Sequence, residues 1–221
     1  GWRHKDGGSN LDELLEVLEK RQTDVACLQE VFISEGQIQD LYEKGFNVIF
    51  AQTKHYPMWG QFGIAVISPH KIELKEVYSL PPKRSERPRV ALSFDLMTNR
   101  GRLRFMTAHL SPERSNRQRQ ARRVVDISSG IGAQLFCADV NDEENRLGAL
   151  GFGRAFSLHD GSDLAGTFPS YGRDKKTIDF VLDNCDIQPE AKYEEWVDDF
   201  GSDHMAYTRR IMTEVCLPVN P

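Results

Sequence analysis

The chain has 221 residues, a formal net charge of -5 and 39% hydrophobic residues. This length favours one large domain over two, and the hydrophobic content is enough for a substantial core. No apolar run approaches the ~18–20 residues that a membrane-spanning helix needs. The net negative charge argues against a protein that coats nucleic acid indiscriminately.

The charges are distributed unevenly along the chain. Residues 83–123 contain 12 Lys and Arg but only 3 Asp and Glu, so the remainder is strongly acidic. An acidic body with a basic middle segment suits a phosphate-bearing substrate. A solvated basic face that serves solubility would give the same pattern, and the composition leaves both interpretations open.

The cysteines and the N-terminus bear on the cellular compartment. Four cysteines are widely spaced, with no CxxC pair and no zinc-ligand pattern. Cys27 and Cys137 lie in apolar runs, which predicts reduced core residues. No signal peptide is visible, which favours a cytoplasmic protein, but the chain begins at Gly1 rather than Met. The native start could be missing, so the compartment stays open.

The first part of the chain predicts two helices around a buried strand. A capping-box pattern and leucines at helical spacing predict a helix over residues 10–21. The continuous apolar run 24–28 is typical of a strand buried on both faces, and this predicted strand ends at Glu30. A second capping pattern predicts a helix from residue 34 that stops at Gly45.

The middle and the end of the chain predict a series of strands interrupted by a helix. Alternating and continuous apolar runs predict strands at 46–52, 64–68, 72–80, 90–97, 103–110, 134–137, 177–182 and 205–217. A third helix is predicted over 115–127. This order predicts an α/β fold: a single domain over residues 1–221, built as a four-layer α/β sandwich of two packed mixed β-sheets flanked by helices.

Polar residues gather where the predicted strands end. Asp139 and Asn141 follow the buried strand at 134–137, and residues two apart on a strand point the same way. Asp and Asn also make turns after strands, so this pair alone indicates little. Further acids and histidines occupy similar places, and their convergence predicts a site at one end of a sheet. They are Glu30, His109, Asp179, Asp203 and His204.

Five short motifs occur in an order and spacing that resemble a known family. They are Leu28-Gln29-Glu30, Thr107-Ala108-His109-Leu110, Ala138-Asp139-Val140-Asn141, Ile178-Asp179-Phe180 and Ser202-Asp203-His204. Together they resemble the deoxyribonuclease-like endonuclease/exonuclease/phosphatase superfamily over essentially the whole chain. That group includes pancreatic-type deoxyribonucleases, abasic-site endonucleases, neutral sphingomyelinases and inositol-phosphate 5-phosphatases.

The resemblance implies roles for the metal and for the water. Glu30 would be the principal Mg²⁺ ligand, a hard carboxylate for a hard cation, and Mn²⁺ could substitute. Asp203 would support the metal or the neighbouring histidine. Asp139 would orient or deprotonate the attacking water, and Asn141 would donate to a phosphate oxygen.

Histidines and an arginine–glutamine pair complete the implied site. Asp179 and His204 resemble the family's Asp–His dyad, in which the carboxylate fixes the imidazole tautomer. His109 would contact phosphate or act as general acid. Arg117 and Gln118, which open the third helix, resemble a common Arg-Gln-Arg-Gln stretch that could bind phosphate, or they cap and pack that helix.

Two departures from the family pattern stand out. Family members begin with a strand that carries a metal-supporting Asn, and Gly1 occupies that position here. Either that strand is truncated, or the ligand is lost. The Gly that usually precedes the catalytic Asp is Ala138 in this chain.

The expected function is a Mg²⁺-dependent phosphoesterase that hydrolyses phosphodiester bonds in nucleic acid. The basic middle segment and the small size favour this substrate, and a monomer without a membrane span is expected. A sphingomyelinase-like or inositol-phosphate-like enzyme acting on a lipid headgroup or small molecule is the alternative. A binding scaffold that has lost its chemistry would explain the missing Asn, but so many polar site residues argue against it.

Overall fold

The computed structural model describes residues 11–56, 60–81, 87–99, 101–158, 167–168, 176–184, 193–195 and 207–209. The predicted cap residue Asn10 and the predicted site residues Asp203 and His204 lie outside these ranges. The helices are α1 (Leu11–Lys20), α2 (Glu35–Glu43), α3 (Arg114–Ile131) and α4 (Leu147–Leu150), with 3-10 turns at Glu144–Arg146 and Phe152–Arg154. The strands are β1 (Ala26–Ile33), β2 (Asn47–Tyr56), β3 (Gly60–Ser68), β4 (Ile72–Leu80), β5 (Arg89–Thr98), β6 (Gly101–His109), β7 (Leu135–Asp139), β8 (Asp179–Asp183), β9 (Tyr193–Glu195) and β10 (Tyr207–Arg209).

In the described part of the chain, the strands form two larger sheets and one two-stranded ribbon. Antiparallel strands in the order β1-β3-β2 make the first sheet. The second sheet has the order β4-β5-β6-β7-β8 and is mixed, because β6 and β7 run parallel while their neighbours are antiparallel. β9 and β10 pair separately. Helix α3 makes the crossover from β6 to β7 that a parallel pair requires.

Three apolar clusters show that the layers are ordered helix, sheet, sheet, helix. Leucines of α1 and Leu41 of α2 pack on the outer face of the first sheet. The two sheets face each other through a second cluster, which includes the stacked rings of Phe94 and Phe105 at 4.9 Å between centroids. Helices α3 and α4 cover the outer face of the second sheet. The predicted four-layer α/β sandwich is confirmed.

Most predicted elements are confirmed, with shifted ends. The Ser34 side chain and Gln37 form the capping box of α2. Helix α3 runs four residues past its predicted end at residue 127, to Ile131, and terminates at Gly132 in a left-handed conformation. Strand β9, absent from the prediction, lies in a polar stretch without alternation. None of the described helices combines the length and apolar character needed to cross a membrane.

A buried ion pair lies on the sheet away from the predicted site. The fully buried Asp95 on β5 accepts two hydrogen bonds from Arg104 on β6, at 2.7 and 3.0 Å. Lys75 adds a contact at 3.3 Å. Burial alone would raise the pKa of Asp95, but the Arg104 hydrogen bonds and charge, with Lys75, outweigh it and hold that pKa below its usual value. The carboxylate therefore stays ionised inside the fold.

The two described cysteines lie within the core between the sheets. Cys27 and Cys137 are free thiols, half-buried against the cluster that joins the sheets. A hydrogen bond with the Cys137 side chain, together with burial, raises the pKa of Cys27 well above its ordinary value. A protonated thiol is a poor nucleophile, which fits the prediction that these residues are reduced core cysteines.

Candidate active site

Three of the predicted site residues lie side by side at one edge of the second sheet. His109 at the end of β6 is the register partner of Asp139 at the end of β7. Asp139 in turn pairs with Asp179, the first residue of β8. Because paired residues project to the same face of a sheet, a histidine and two carboxylates come together in a row. Asp179 was predicted inside its strand and instead begins it.

Glu30 reaches this row from the other sheet. The prediction that Glu30 ends its strand is wrong, because β1 continues to Ile33. The pairing with β3 shifts between Leu28 and Val31, and Glu30 has a φ of 53°. A bulge of this kind re-aims a side chain. The Glu30 carboxylate is half exposed and lies 3.9 Å from the His109 Nδ1.

A second contact joins the two sheets directly behind Glu30. The Gln29 amide nitrogen lies 3.4 Å from the hydroxyl of the buried Thr107, two residues before His109 on β6. Gln29 also donates to the carbonyl of Cys27 at 3.4 Å. Gln29 was predicted only as part of the Leu28-Gln29-Glu30 motif; a polar residue beside a predicted metal ligand in a buried strand was the available signal.

His109 is nearly buried and has polar partners at both ring nitrogens. Its Nε2 lies 3.3 Å from the Asp139 carboxylate and 3.1 Å from the Asn141 side-chain nitrogen, while Nδ1 faces Glu30. A protonated Nε2 donates to Asp139, whereas an unprotonated one accepts from Asn141. Arg89, at the start of β5, donates to the His109 carbonyl at 3.4 Å. The imidazole is thus placed to gain or lose a proton beside two acids.

Asn141 is held in an unusual backbone conformation. Its φ is 53°, in the left-handed region that Asn tolerates better than most residues. Its backbone N–H donates to Asp139 at 2.8 Å, and its side chain donates to the Leu110 carbonyl at 2.9 Å. The turn interpretation is therefore correct for this pair, and the turn places the amide beside His109.

Arg117 lies close to the site, in an internal ion pair. It is buried, and its Nε donates to Asp142 at 3.0 Å while Nη1 donates to the carbonyls of Ser111 and Pro112. This geometry does not present the guanidinium to phosphate. Gln118 is half-buried, whereas the fully buried Gln120 accepts from the Ser111 N–H at 2.8 Å. Asp142 was not predicted; its place directly after Asn141 was the available signal.

Thr167 supports the last member of the row. Its hydroxyl oxygen is buried and accepts from the backbone N–H groups of Ile178 and Asp179, at 3.1 and 3.3 Å. Ile178 also accepts from the N–H of Val140, at 2.8 Å. The start of β8 is therefore tied to the end of β7, which keeps Asp179 beside Asp139.

A pocket opens beside the row, between the two sheets. Glu30 and His109 line it together with two arginines, an aromatic ring and small or apolar residues: Thr53, Phe62, Gly63, Ile64, Arg87, Pro88, Arg89 and Val90. The ring of Phe62 contacts Phe32 at 4.8 Å between centroids. An acid, a histidine and two cations on an apolar floor are suited to hold a small anionic group.

The described residues match a hard divalent cation in donor type. Glu30, Asp139, Asp179 and Asn141 offer oxygen ligands, the kind that Mg²⁺ prefers. Within the described ranges, no group of three or more His, Cys, Asp or Glu side chains is close enough to hold a metal. Glu30 stays a predicted ligand, and Asp203 is a prediction outside the described residues.

The comparisons with known proteins agree with this architecture. A structure of a functionally unknown conserved protein from Enterococcus faecalis V583 matches with a TM-score of 0.67 at 18% identity, covering 92% of this chain and 91% of that one. The mannosyl-6-phosphatase Bt3783 from Bacteroides thetaiotaomicron matches with a TM-score of 0.65 at 15% identity, covering 90% and 89%. The human Nocturnin catalytic domain matches with a TM-score of 0.61 at 18% identity, covering 90% and 86%.

At these identities the structural matches show a shared fold. No curated protein matches the sequence significantly. The profile of the Endonuclease/Exonuclease/phosphatase family, however, matches residues 6–182, most of the chain. Members of that superfamily are phosphodiesterases and phosphatases, and they commonly use divalent metals. The chain is therefore a hydrolase that belongs to the Endonuclease/Exonuclease/phosphatase family.

Proposed function

We propose that this protein is a Mg²⁺-dependent phosphodiesterase that cleaves nucleic acid. The observation that carries the proposal is the row of His109, Asp139 and Asp179 on adjacent strands, with Glu30 only 3.9 Å from His109. Such a site handles a proton and a water next to a carboxylate that suits a hard cation. The basic segment at residues 83–123 supports a polyanionic substrate.

Each side chain has a task in this proposal. Asp139 orients the attacking water and takes its proton, because its carboxylate lies at the edge where β7 ends. Asn141 exchanges its 3.1 Å contact with His109 for a hydrogen bond to a phosphoryl oxygen. His109 contacts the phosphate or protonates the leaving oxygen. A divalent cation bound at Glu30 would supply neutralisation of the charge on the phosphoryl oxygens.

Asp179 has a supporting task. It stands beside Asp139 in the pairing of β7 with β8. In the proposed dyad its carboxylate accepts from the imidazole of His204 and fixes the ring tautomer. Asp203 would support the cation or His204. These two residues lie outside the described ranges, so their tasks rest on the motif Ser202-Asp203-His204.

The test is a substrate panel with purified protein. Single-stranded and duplex DNA, RNA, sphingomyelin and inositol phosphates are each incubated with Mg²⁺, with Mn²⁺ and with a chelator. The expected result is metal-dependent cleavage of at least one nucleic acid, abolished in His109→Asn. Cleavage of sphingomyelin or inositol phosphate alone would refute nucleic acid as the substrate. No turnover of any substrate would refute the proposed activity.

A further inference from the structure

Two buried, oppositely charged residues lie next to the site without a part in its chemistry. Arg117 and Asp142 are each only 6% exposed, and the Arg117 Nε lies 3.0 Å from the Asp142 Oδ2. A buried ion pair is seldom retained for stability, because well-packed apolar residues of similar size are often as stable. The presence of this pair therefore needs an explanation other than stability.

The Arg117 guanidinium joins the two loops that follow the paired ends of β6 and β7. Its Nη1 donates to the carbonyls of Ser111 and Pro112 at 3.2 and 2.6 Å, in the segment directly after His109. Its Nε binds Asp142, which directly follows Asn141. The planar guanidinium holds Nε and Nη1 at fixed positions from which they serve the carboxylate and the two carbonyls, and the single ammonium nitrogen of Lys lacks this geometry.

Asn141 needs such external support. Its φ of 53° lies in the left-handed region, which Asn tolerates better than most residues but which still costs energy that surrounding contacts must offset. Its amide donates to the Leu110 carbonyl at 2.9 Å and lies 3.1 Å from the His109 Nε2. His109 and Leu110 lie where β6 ends, directly before the Ser111 and Pro112 carbonyls that accept from Arg117. A relative shift of the two loops would move the amide away from His109.

We propose that Arg117 is a positioning residue that, through Asp142 and the Ser111–Pro112 carbonyls, fixes the Asn141 amide next to His109. This inference rests on the proposed function for its kinetic consequence. Arg117 acts through Asn141 and does not itself contact phosphate. A misplacement of about 1 Å in such a group can cost on the order of 100-fold in rate.

A double-mutant cycle in kcat tests the proposal. We expect Arg117→Met to lower kcat by about 10- to 100-fold with KM within about threefold of wild type. In the Asn141→Ala background the same substitution is expected to lower kcat by no more than about threefold, because its effect runs through Asn141. Arg154→Met is the control and leaves kcat unchanged, because this exposed arginine lies outside the basic segment and pairs with Asp126 at the surface. Equal losses in both backgrounds, or a raised KM at constant kcat, would overturn the proposal.

A conservative variant tests the same proposal if Arg117→Met does not fold. Arg117→Lys retains the charge opposite Asp142 but loses the planar fork. We expect it to fold, with a melting temperature near that of wild type, and to lose kcat about tenfold or more while KM stays constant. Wild-type kcat in Arg117→Lys would overturn the bridging geometry.

A spectroscopic measurement separates this proposal from the proposed activity. The side-chain amide resonances of Asn141, assigned by their absence in Asn141→Ala, are recorded on protein without metal or substrate. We expect amide protons protected from exchange in wild type and in Arg154→Met, and protection lost in Arg117→Met. Unchanged protection in Arg117→Met would refute the positioning role even if the enzyme is active. Lost protection would support it even if no substrate is turned over.

Discussion

Gly63 offers a sharp test of the geometry around Glu30. It lies on the central strand β3, where it pairs with Val31 next to the Glu30 bulge and with Gln52 next to a second register shift. A Cβ built on Gly63 would stand 2.0 Å from the Ala51 carbonyl oxygen, against 3.4 Å or more in an ordinary contact. Gly63→Ala therefore requires a separation of about 1.4 Å between the strands, enough to break ladder hydrogen bonds.

The cost follows from the bonds that are lost. Two to three backbone hydrogen bonds at about 1 kcal/mol each, partly left buried without partners, give a loss of about 3 kcal/mol in unfolding free energy. For a domain of this size that lowers the melting temperature by about 6–12 °C. Because Gly63 and Glu30 line the same pocket, we also expect weaker metal-dependent activity.

The matched control is the same substitution where space is open. Gly130 lies within α3 and has nothing within 4 Å of its Cβ position. Gly130→Ala is expected to stabilise the protein by about 0.5–1 kcal/mol, since Ala is the better helix former. Urea unfolding followed by circular dichroism measures both variants. An unfolding free energy of Gly63→Ala within about 0.5 kcal/mol of the wild-type value would refute the expected clash with the Ala51 carbonyl.

Three further outcomes can be measured. Asp139→Asn is expected to lower kcat by about 10²–10⁴-fold with the fold intact, because the amide cannot accept the proton of the water; near-normal turnover would remove Asp139 from the mechanism. Glu30→Gln is expected to weaken Mg²⁺ binding at least about tenfold in titration calorimetry, and equal affinity in both proteins would exclude Glu30 as a ligand. Asp95 has a folded pKa held below its usual value despite burial, chiefly by Arg104, so its contribution to stability is present above about pH 4 and is lost as pH falls through the depressed pKa. The unfolding free energy of Asp95→Asn is therefore expected to fall less than that of wild type between about pH 5 and pH 2, and parallel curves would show that the pair contributes nothing.

The sequence predicted the layers of the fold because its apolar patterns are strong. Leucines at helical spacing and alternating strands locate α1 and β5 without any tertiary information. It could not predict that Glu30 sits in a bulge within β1, because a bulge is a register difference between two strands. Strand ends likewise shifted by several residues, since pairing partners decide where a ladder stops.

The candidate site, like the fold, was predicted only in part from the sequence. His109, Asp139 and Asn141 were predicted from their places after apolar runs, and their proximity is a consequence of the parallel pairing of β6 and β7. The environment of Arg117 could not be read from sequence. Its partner Asp142 is 25 residues away along the chain, and whether an arginine at a helix start faces solvent or a buried carboxylate depends on packing.

The Glu30–His109 contact crosses from one sheet to the other, so in the proposed mechanism the activity depends on the spacing of the sheets. The stacked Phe94 and Phe105 belong to the apolar cluster that fills the space between the two layers. A partial loosening of that core would separate the candidate metal ligand from the proton-handling groups while each sheet stays paired. The enzyme is then expected to lose activity at a lower urea concentration than the one that unfolds its strands.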